Sequence, residues 1–352
     1  MLFAGIETQR QAQPMKKPQI RIAGWFAAGT AVLATAGLLL AAQFTLPFGA
    51  WKRLSSQPVI FPQGHGFESA GTFNPAAVEK DGEVVLLYRA QDHHGTSRLG
   101  YAASRDGVHF QRRPEPVFGP EAPYEAGGGT EDPRIVRIGS TYYMTYTGYN
   151  NVNGVGKDKR DAQLCLAMSH DLLHWQRRGV ILPAYKGKWN VGWTKSGAIV
   201  PQRIQGKYWM YYLGDAGDSQ GKMGVASSDD LLHWTDALDH PVASTRPGRF
   251  DSQVVEPGPP PVVLPQGIFL IYNGADDHLV YSTGWILFDK TDPTKVLARA
   301  ESPMFHPTET WEKVGQVPNV VFVEGLVHRG NLWLFYYGGA DKYIGVAAAE
   351  SP

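Results

Sequence analysis

The chain has 352 residues, enough for one large domain or two ordinary ones with a sizeable core. Its 33 basic and 33 acidic side chains cancel, so nothing in the charge points to capture of nucleic acid or an acidic polymer. The single cysteine, Cys165, excludes an intrachain disulfide. Its apolar neighbours mark it as a core residue. No His/Cys group has zinc spacing, His93 and His94 read as a solvated loop, and no cofactor motif is evident.

Residues 15–21, MKKPQIR, are basic, and residues 22–42 then run for 21 positions without a charge. That is long enough to cross a bilayer as a helix. Lys16, Lys17 and Arg21 stand before it, so the positive-inside rule puts the N-terminus in the cytoplasm and the rest outside. The stretch reads as a membrane anchor. Cleavage after the small residues Ala41 and Ala42 is the alternative and would release a periplasmic or extracellular protein. Residues 1–50 are therefore set apart from a folded domain over 51–352.

That domain repeats itself. VVLLYRA (84–90), YYMTYTG (142–148), YWMYYLG (208–214), IFLIYNG (268–274) and LWLFYYG (332–338) are apolar, aromatic strands. Their tyrosines, Tyr88, Tyr146, Tyr212, Tyr272 and Tyr337, lie 58, 66, 60 and 65 positions apart. After the first three come RLGYAASRDGVHF, QLCLAMSHDLLHW and KMGVASSDDLLHW; the fourth copy is altered and the last cut short. Self-similarity at this period predicts stacked units that each need a neighbour to bury an apolar face. Five such units with 40 glycines and 25 prolines predict an all-β fold, a five-bladed β-propeller, preceded by the hydrophobic N-terminal helix. A residue type present in every repeat does structural work. Asp106, Asp171 and Asp229 are thus expected in turns, and Trp175 and Trp234 in packing between units.

What breaks the repeat is of more interest for function. Five stretches enter the first strands at one phase: TFNPAAV, GGGTEDPRI, WTKSGAIVP, SQVVEPGPPPV and PNVVFVEGLV. They bring Asn74, Asp132, Lys195, Glu256 and Glu324, with Arg89, Arg134 and Asp341 nearby. Unpaired charges on a narrow axis are costly. Such a set fits the grip on a polyhydroxylated ligand, or else a network of salt bridges that only closes the ring. Carboxylates sharing a pocket push their pKa values apart, which supplies an acid and a base for glycoside cleavage. Tyr149, Trp189 and Trp193 flank these stretches and offer faces for sugar stacking or for packing. The polar loop 149–163 is placed to cover the site, or to stand as a solvated hairpin.

In order along the chain, NPAAV, LLYRA, GGGTEDPRI, KSGAIVP, GPPPV, TGWILFD, DPTKVLAR, VPNVVF and YYGGAD resemble glycoside hydrolase family 130, over about residues 58 to 350. The resemblance implies a five-bladed propeller acting on β-mannosides, as an inverting phosphorylase or an inverting hydrolase. It implies Asp132 as general acid, with the proton relayed through a sugar hydroxyl. It also implies Asn74, Arg89, Arg134, Lys195 and Asp341 as the hold on the cleaved sugar. Glu131 and Arg134 then set the charge around the acid, and Pro133 biases Asp132 towards extended backbone.

Two departures separate this chain from the phosphorylase pattern. After the third repeat tyrosine the sequence is YYLGDAGD, without the phosphate-site arginine, and Asn273 stands where phosphorylases carry histidine. Phosphate needs positive charge and donors. Glu256 and Glu324 resemble the hydrolase branch, in which glutamates replace the phosphate site and activate water; both stay open as the base. Inversion requires about 6.5–9.5 Å between acid and base carboxyls. The expected activity is therefore an inverting hydrolase cleaving β-mannosidic or related β-linked oligosaccharides. The alternatives are a phosphorylase with an atypical phosphate site, an arabinofuranosidase-like or fructosidase-like relative, and a non-catalytic glycan-binding propeller.

Overall fold

The computed structural model describes residues 44–154, 159–186 and 188–352. The uncharged stretch 22–42 and the middle of the loop 149–163, residues 155–158, lie outside the described residues. Among those described the fold is nearly all β, with short helical turns at Pro123–Glu125 and Thr310–Lys313.

The first strand, β1 (Lys52–Arg53), skips its neighbours in sequence and pairs with the last strand. The next four, β2 (Gly71–Lys80), β3 (Glu83–Gln91), β4 (Ser97–Ser104) and β5 (Gln111–Arg112), form an antiparallel meander. A second meander follows with β6 (Gly127–Ile138), β7 (Thr141–Asn150), β8 (Asp161–Ser169) and β9 (Gln176–Leu182). The third is β10 (Thr194–Ile199), β11 (Tyr208–Asp215), β12 (Gly221–Ser228) and β13 (Thr235–Asp236). In the fourth the first strand is broken into β14 (Val254–Pro257) and β15 (Val262–Leu264), followed by β16 (Gly267–Ala275), β17 (Tyr281–Phe288) and β18 (Val296–Arg299). The last contains β19 (Val321–Arg329), β20 (Leu332–Gly339) and β21 (Tyr343–Glu350), with β1 supplying its outer strand. The apolar core is divided in the same way. Each of five buried clusters is shared by two neighbouring meanders: first and second, second and third, and so on round to fifth and first.

The repeated tyrosines have a common job that the spacing alone did not reveal. All five are buried on the second strand of their meander, and each hydroxyl donates to a carboxylate. Tyr88 meets Glu68 at 2.5 Å, Tyr146 meets Glu125 at 2.8 Å and Tyr212 meets Asp236 at 2.5 Å. Tyr272 meets Asp251 at 2.6 Å and Tyr337 meets Glu312 at 2.8 Å. A cation completes each set: Arg112, Arg177, Lys186, Arg246 with Arg299, and Arg53. In every meander the outermost strand carries one member, an acid (Asp236) in the third and a cation in the others. These charge-assisted contacts bind the short outer strands to the second strand. Room for the tyrosine ring comes from the third strand. Gly100, Gly224, Gly284 and Gly345 lie opposite Tyr88, Tyr212, Tyr272 and Tyr337. At Gly100, Gly224 and Gly345 an added Cβ would come within 2.4 Å of the ring. Cys165 takes this place opposite Tyr146, buried as expected.

The turn aspartates need one correction. Asp106 and Asp171 accept backbone N–H groups of their turns, but in the third repeat Asp230 does so, through Leu232 and His233. Each follows a serine by two positions (Ser104, Ser169, Ser228), whereas Asp229 aligns with Arg105 and His170 and faces Lys207 at 3.5 Å. Trp175 and Trp234 cap the same turns with Nε1 donated to Leu172 and Leu231, and sit in clusters shared between meanders.

Removing Arg53 strips the bidentate partner from buried Glu312 and frees β1. Arg53→Met is expected to cost on the order of 3 kcal/mol in urea unfolding. Arg299→Met should cost less than half of that, because Arg246 still holds Asp251 at 2.8 Å. Equal losses at the two positions would contradict the lock.

Candidate functional site

Two of the polar residues, Asn74 and Asp132, reach a common cavity from bulges in their first strands. In β2 the pairing slips between Phe73 and Pro75, beside Tyr88. In β6 it slips between Glu131 and Arg134, in β10 between Lys195 and Ala198, and in β19 between Val323 and Gly325. The extra residue of a bulge leaves the ladder and its side chain is re-aimed. Here those residues are Asn74, Asp132, Ser196 and Glu324. Asn74, Asp132 and Ser196 have φ of 49°, 52° and 59°. The extended backbone expected of Asp132 before Pro133 is therefore not what forms. Asn and Asp tolerate the left-handed region because their short polar side chains bond locally, and Asn74 Nδ2 donates to Asp132 Oδ1 at 2.8 Å. Asp341 reaches the same place from the β20–β21 turn, with φ of 50° and Ala340 at 49° before it.

A cavity of about 150 Å³ is lined by Asn74, Arg89, Asp132, Lys195, Glu256 and Asp341 on its polar side. Tyr281, Val317, Val320 and Phe322 complete the lining. Arg89 is committed to acids: its guanidinium lies 2.6 Å from Glu131 and 3.3 Å from Asp132, and its Nε donates to Ser97. Glu131 is held behind Arg89 and also accepts from Ser97. Ser196 donates a short hydrogen bond to Glu256 Oε1.

Four sequence candidates lie outside this lining: Glu131, held by Arg89, and Arg134, Glu324 and Asn273. Arg134 is 1 % exposed and Glu324 and Asn273 are 0 % exposed. Arg134 pairs with Glu324 at 3.1 Å and spends its donors on the carbonyls of Asp132, Pro257 and Gly258. Asn273 bridges to both the N–H and the C=O of Val323, tying the fourth meander to the fifth. Of the aromatic candidates, Trp189 packs against Tyr212, Gly214 and Gly224, and Tyr149 lies over Gly128. Trp193 is 38 % exposed, with the Lys195 ammonium 5.9 Å from its ring. At the two ends of the loop 149–163, Tyr149 pairs with Ala162 and Asn150 with Asp161 on the β7–β8 ladder. Sequence reasoning passed over Ser97, Ser196, Tyr281, Val317, Val320 and Phe322. Ser196, Tyr281 and the apolar lining stand inside or beside the motifs, but only the bulges and the ring of strands bring them together.

Electrostatics separates the carboxyls. Burial pushes Asp132 up, yet Arg89, Lys195 and the Asn74 hydrogen bond outweigh it and hold it below the usual range. Burial, reinforced by Asp132, raises Glu131. Burial drives Glu324 far up, with Arg134 opposing. Burial and the charges of Asp132 and Glu256 lift Asp341 from 3.8 to about 6 against Arg89 and Lys195. Burial lowers Lys195, but Asp132, Glu256 and Glu131 reverse this and keep its ammonium charged.

Fold and cavity together define an all-β protein with a recessed site of three carboxylates and two cations. The family model described as beta-1,4-mannooligosaccharide phosphorylase matches residues 55–351, and the chain belongs to glycoside hydrolase family 130, whose enzymes act on mannosides. A 1,2-beta-oligomannan phosphorylase of Thermoanaerobacter sp. (strain X514) is 40% identical over 307 residues, covering 85% of this chain and 97% of that protein. The crystal structure of a glycosyl hydrolase from Bacteroides ovatus is similar at 37% identity and TM-score 0.76, covering 88% of this chain and 98% of the other. A structure from work on GH130 glycoside hydrolases that target beta-1,2 mannosidic linkages in Candida mannan matches at 36% identity, TM-score 0.76, and the same coverage.

The Asp341 shift carries a stability signature. Between the unfolded value near 3.8 and the folded value of about 6, the folded chain holds the proton more tightly, so this group's contribution falls as pH rises through that window. Asp341→Asn is expected to raise Tm at pH 7.5 and to lose that gain below pH 4. A loss of Tm at pH 7.5 would mean that Arg89 and Lys195 more than compensate the buried charge.

Proposed function

We propose that the five meanders are the blades of a five-bladed β-propeller. We propose further that the cavity belongs to an inverting glycoside hydrolase cleaving β-mannosidic linkages of oligosaccharides. The observation that carries the hydrolytic reading is the charge of the lining. Asp132, Glu256 and Asp341 face Arg89 and Lys195, and Arg89 is already engaged by Glu131 and Asp132. An acidic lining repels a phosphate dianion and favours water activated by a carboxylate. Glu256 is the base in this reading, because it lines the cavity with one oxygen fixed by Ser196, while Glu324 does not line it.

Asp132 is the acid. Both of its side-chain partners, Asn74 and Arg89, contact Oδ1. A bound sugar that draws Arg89 and Lys195 onto its own hydroxyls loosens their hold on Asp132 and lets it carry the proton. Water, deprotonated by Glu256, then attacks the anomeric carbon. The C–O bond breaks, and the departing oxygen takes the Asp132 proton through a sugar hydroxyl. Asn74, Arg89, Lys195 and Asp341 hold the cleaved sugar, its apolar face lies on Tyr281 and Phe322, and Trp193, exposed beside Lys195, offers a stacking face for the next sugar. The reaction is placed outside the cytoplasm, a reading supported by the uncharged stretch 22–42 behind Lys16, Lys17 and Arg21. A phosphorylase is the second reading, favoured by the name of the 40%-identical relative.

Chemical rescue tests the acid–base assignment. With an aryl β-mannoside, Glu256→Ala is expected to turn over more slowly by on the order of 10³-fold or more and to recover with azide as an α-mannosyl azide. Glu324→Ala should show no azide rescue, and Asp132→Asn should be inactive on mannobiose. Rescue at Glu324 with none at Glu256 would reverse the choice of base.

A further inference from the structure

We infer that Arg134, backed by Glu324, is a positioning residue that sets the separation of the two reacting carboxyls without touching the sugar. This inference rests on the assignment of Asp132 and Glu256 above. One guanidinium contacts the backbone on either side of the cavity floor. Its Nη1 donates to the carbonyl of Asp132 at 3.2 Å. Its Nη2 donates to the carbonyl of Pro257 at 2.8 Å and its Nε to that of Gly258 at 2.9 Å. Pro257 and Gly258 follow Glu256 directly, so a single planar group clamps the acid's own residue to the strand end that carries the base.

The clamp is needed at that point. Asp132 stands in a bulge with a left-handed backbone, and β14 ends at Pro257. Neither residue is therefore held by a continuous ladder on both sides. Three directed donors fix relative position as a flexible ammonium cannot. Glu324 approaches from the third side, its Oε1 3.1 Å from Nη2, and neither of its oxygens has a hydrogen-bond partner among the described residues. Its approach to Arg134, with no place in the cavity lining, sets it behind the guanidinium. The close approach behind this floor is tight. A Cβ on Gly258 would come within 2.7 Å of the Ile271 carbonyl and 2.9 Å of the Val323 carbonyl.

Arg134 is thereby separated from the sugar-holding role that family resemblance implies. A residue that grips the sugar raises KM when removed, whereas one that spaces the acid and base lowers kcat. The test uses the full-length chain with Arg134→Lys, Glu324→Ala, Asp132→Asn and the unaltered protein, assayed on β-1,2-mannobiose, with mannose binding followed by calorimetry. For Arg134→Lys the expected result is that kcat falls by about 30-fold or more, that KM and mannose affinity stay within about threefold, and that the melt stays cooperative. Should Arg134→Lys fail to fold, Glu324→Ala carries the same expectation with a smaller loss of turnover. A KM or mannose dissociation constant raised about tenfold or more at unchanged kcat would overturn the inference, and so would unchanged kinetics. Full turnover by Asp132→Asn would instead show that the acid assignment itself has failed.

Discussion

The structure depends on a buried tyrosine–carboxylate–cation lock repeated in every meander. A β-meander whose outer strand is only two to seven residues long has little ladder to hold it. The lock ties that strand to the tyrosine of the second strand through charge-assisted hydrogen bonds shielded from water. In the fifth meander the cation comes from Arg53, at the opposite end of the described chain from its partners Glu312 and Tyr337, so one lock also closes the fold. In four meanders the first-strand bulge lies next to the locked tyrosine: Tyr88, Tyr146, Tyr212 and Tyr337. The strained backbone at Asn74, Asp132 and Ser196 is thus braced by the most firmly held position of each second strand.

The bulges and the lock divide the labour between architecture and chemistry. Lock residues recur in every meander, whereas the bulge residues Asn74, Asp132, Ser196 and Glu324 differ from one meander to the next. The cavity lining combines three acids and two cations with Tyr281, Val317, Val320 and Phe322, a mixture that suits the hydroxyls and C–H faces of a sugar. The floor extends the same logic. Arg134 couples the bulge of the second meander to the broken first strand of the fourth, where Glu256 stands.

Much of this was legible in the chain because repetition exposes structure and its interruption exposes function. The tyrosine period marked the strands, and the five interrupted stretches contained every polar residue of the cavity except Arg89 and Asp341, which stood nearby. What escaped was long-range. No spacing rule links Glu68 with Arg112 or Glu312 with Arg53, so the locks were invisible. The left-handed backbone at Asp132 runs against the ordinary preference before proline and is imposed by the bulge. Arg134 and Glu324 read as site residues because they share a phase with Asp132 and Glu256. Their burial beneath the cavity depends on the backbone carbonyls they meet. Asp230 displaced Asp229 because register, set by Ser228, decides which of two adjacent acids faces the turn.

In the proposed reaction an acidic cavity has exchanged phosphate for water as the group that attacks the mannoside. The most direct measurement is the product formed from β-1,2-mannobiose by the full-length protein with and without inorganic phosphate, followed by proton NMR. Hydrolysis with inversion releases mannose at the same rate in both, appearing first as the α-anomer. Mannose 1-phosphate formed only in the presence of phosphate would contradict it.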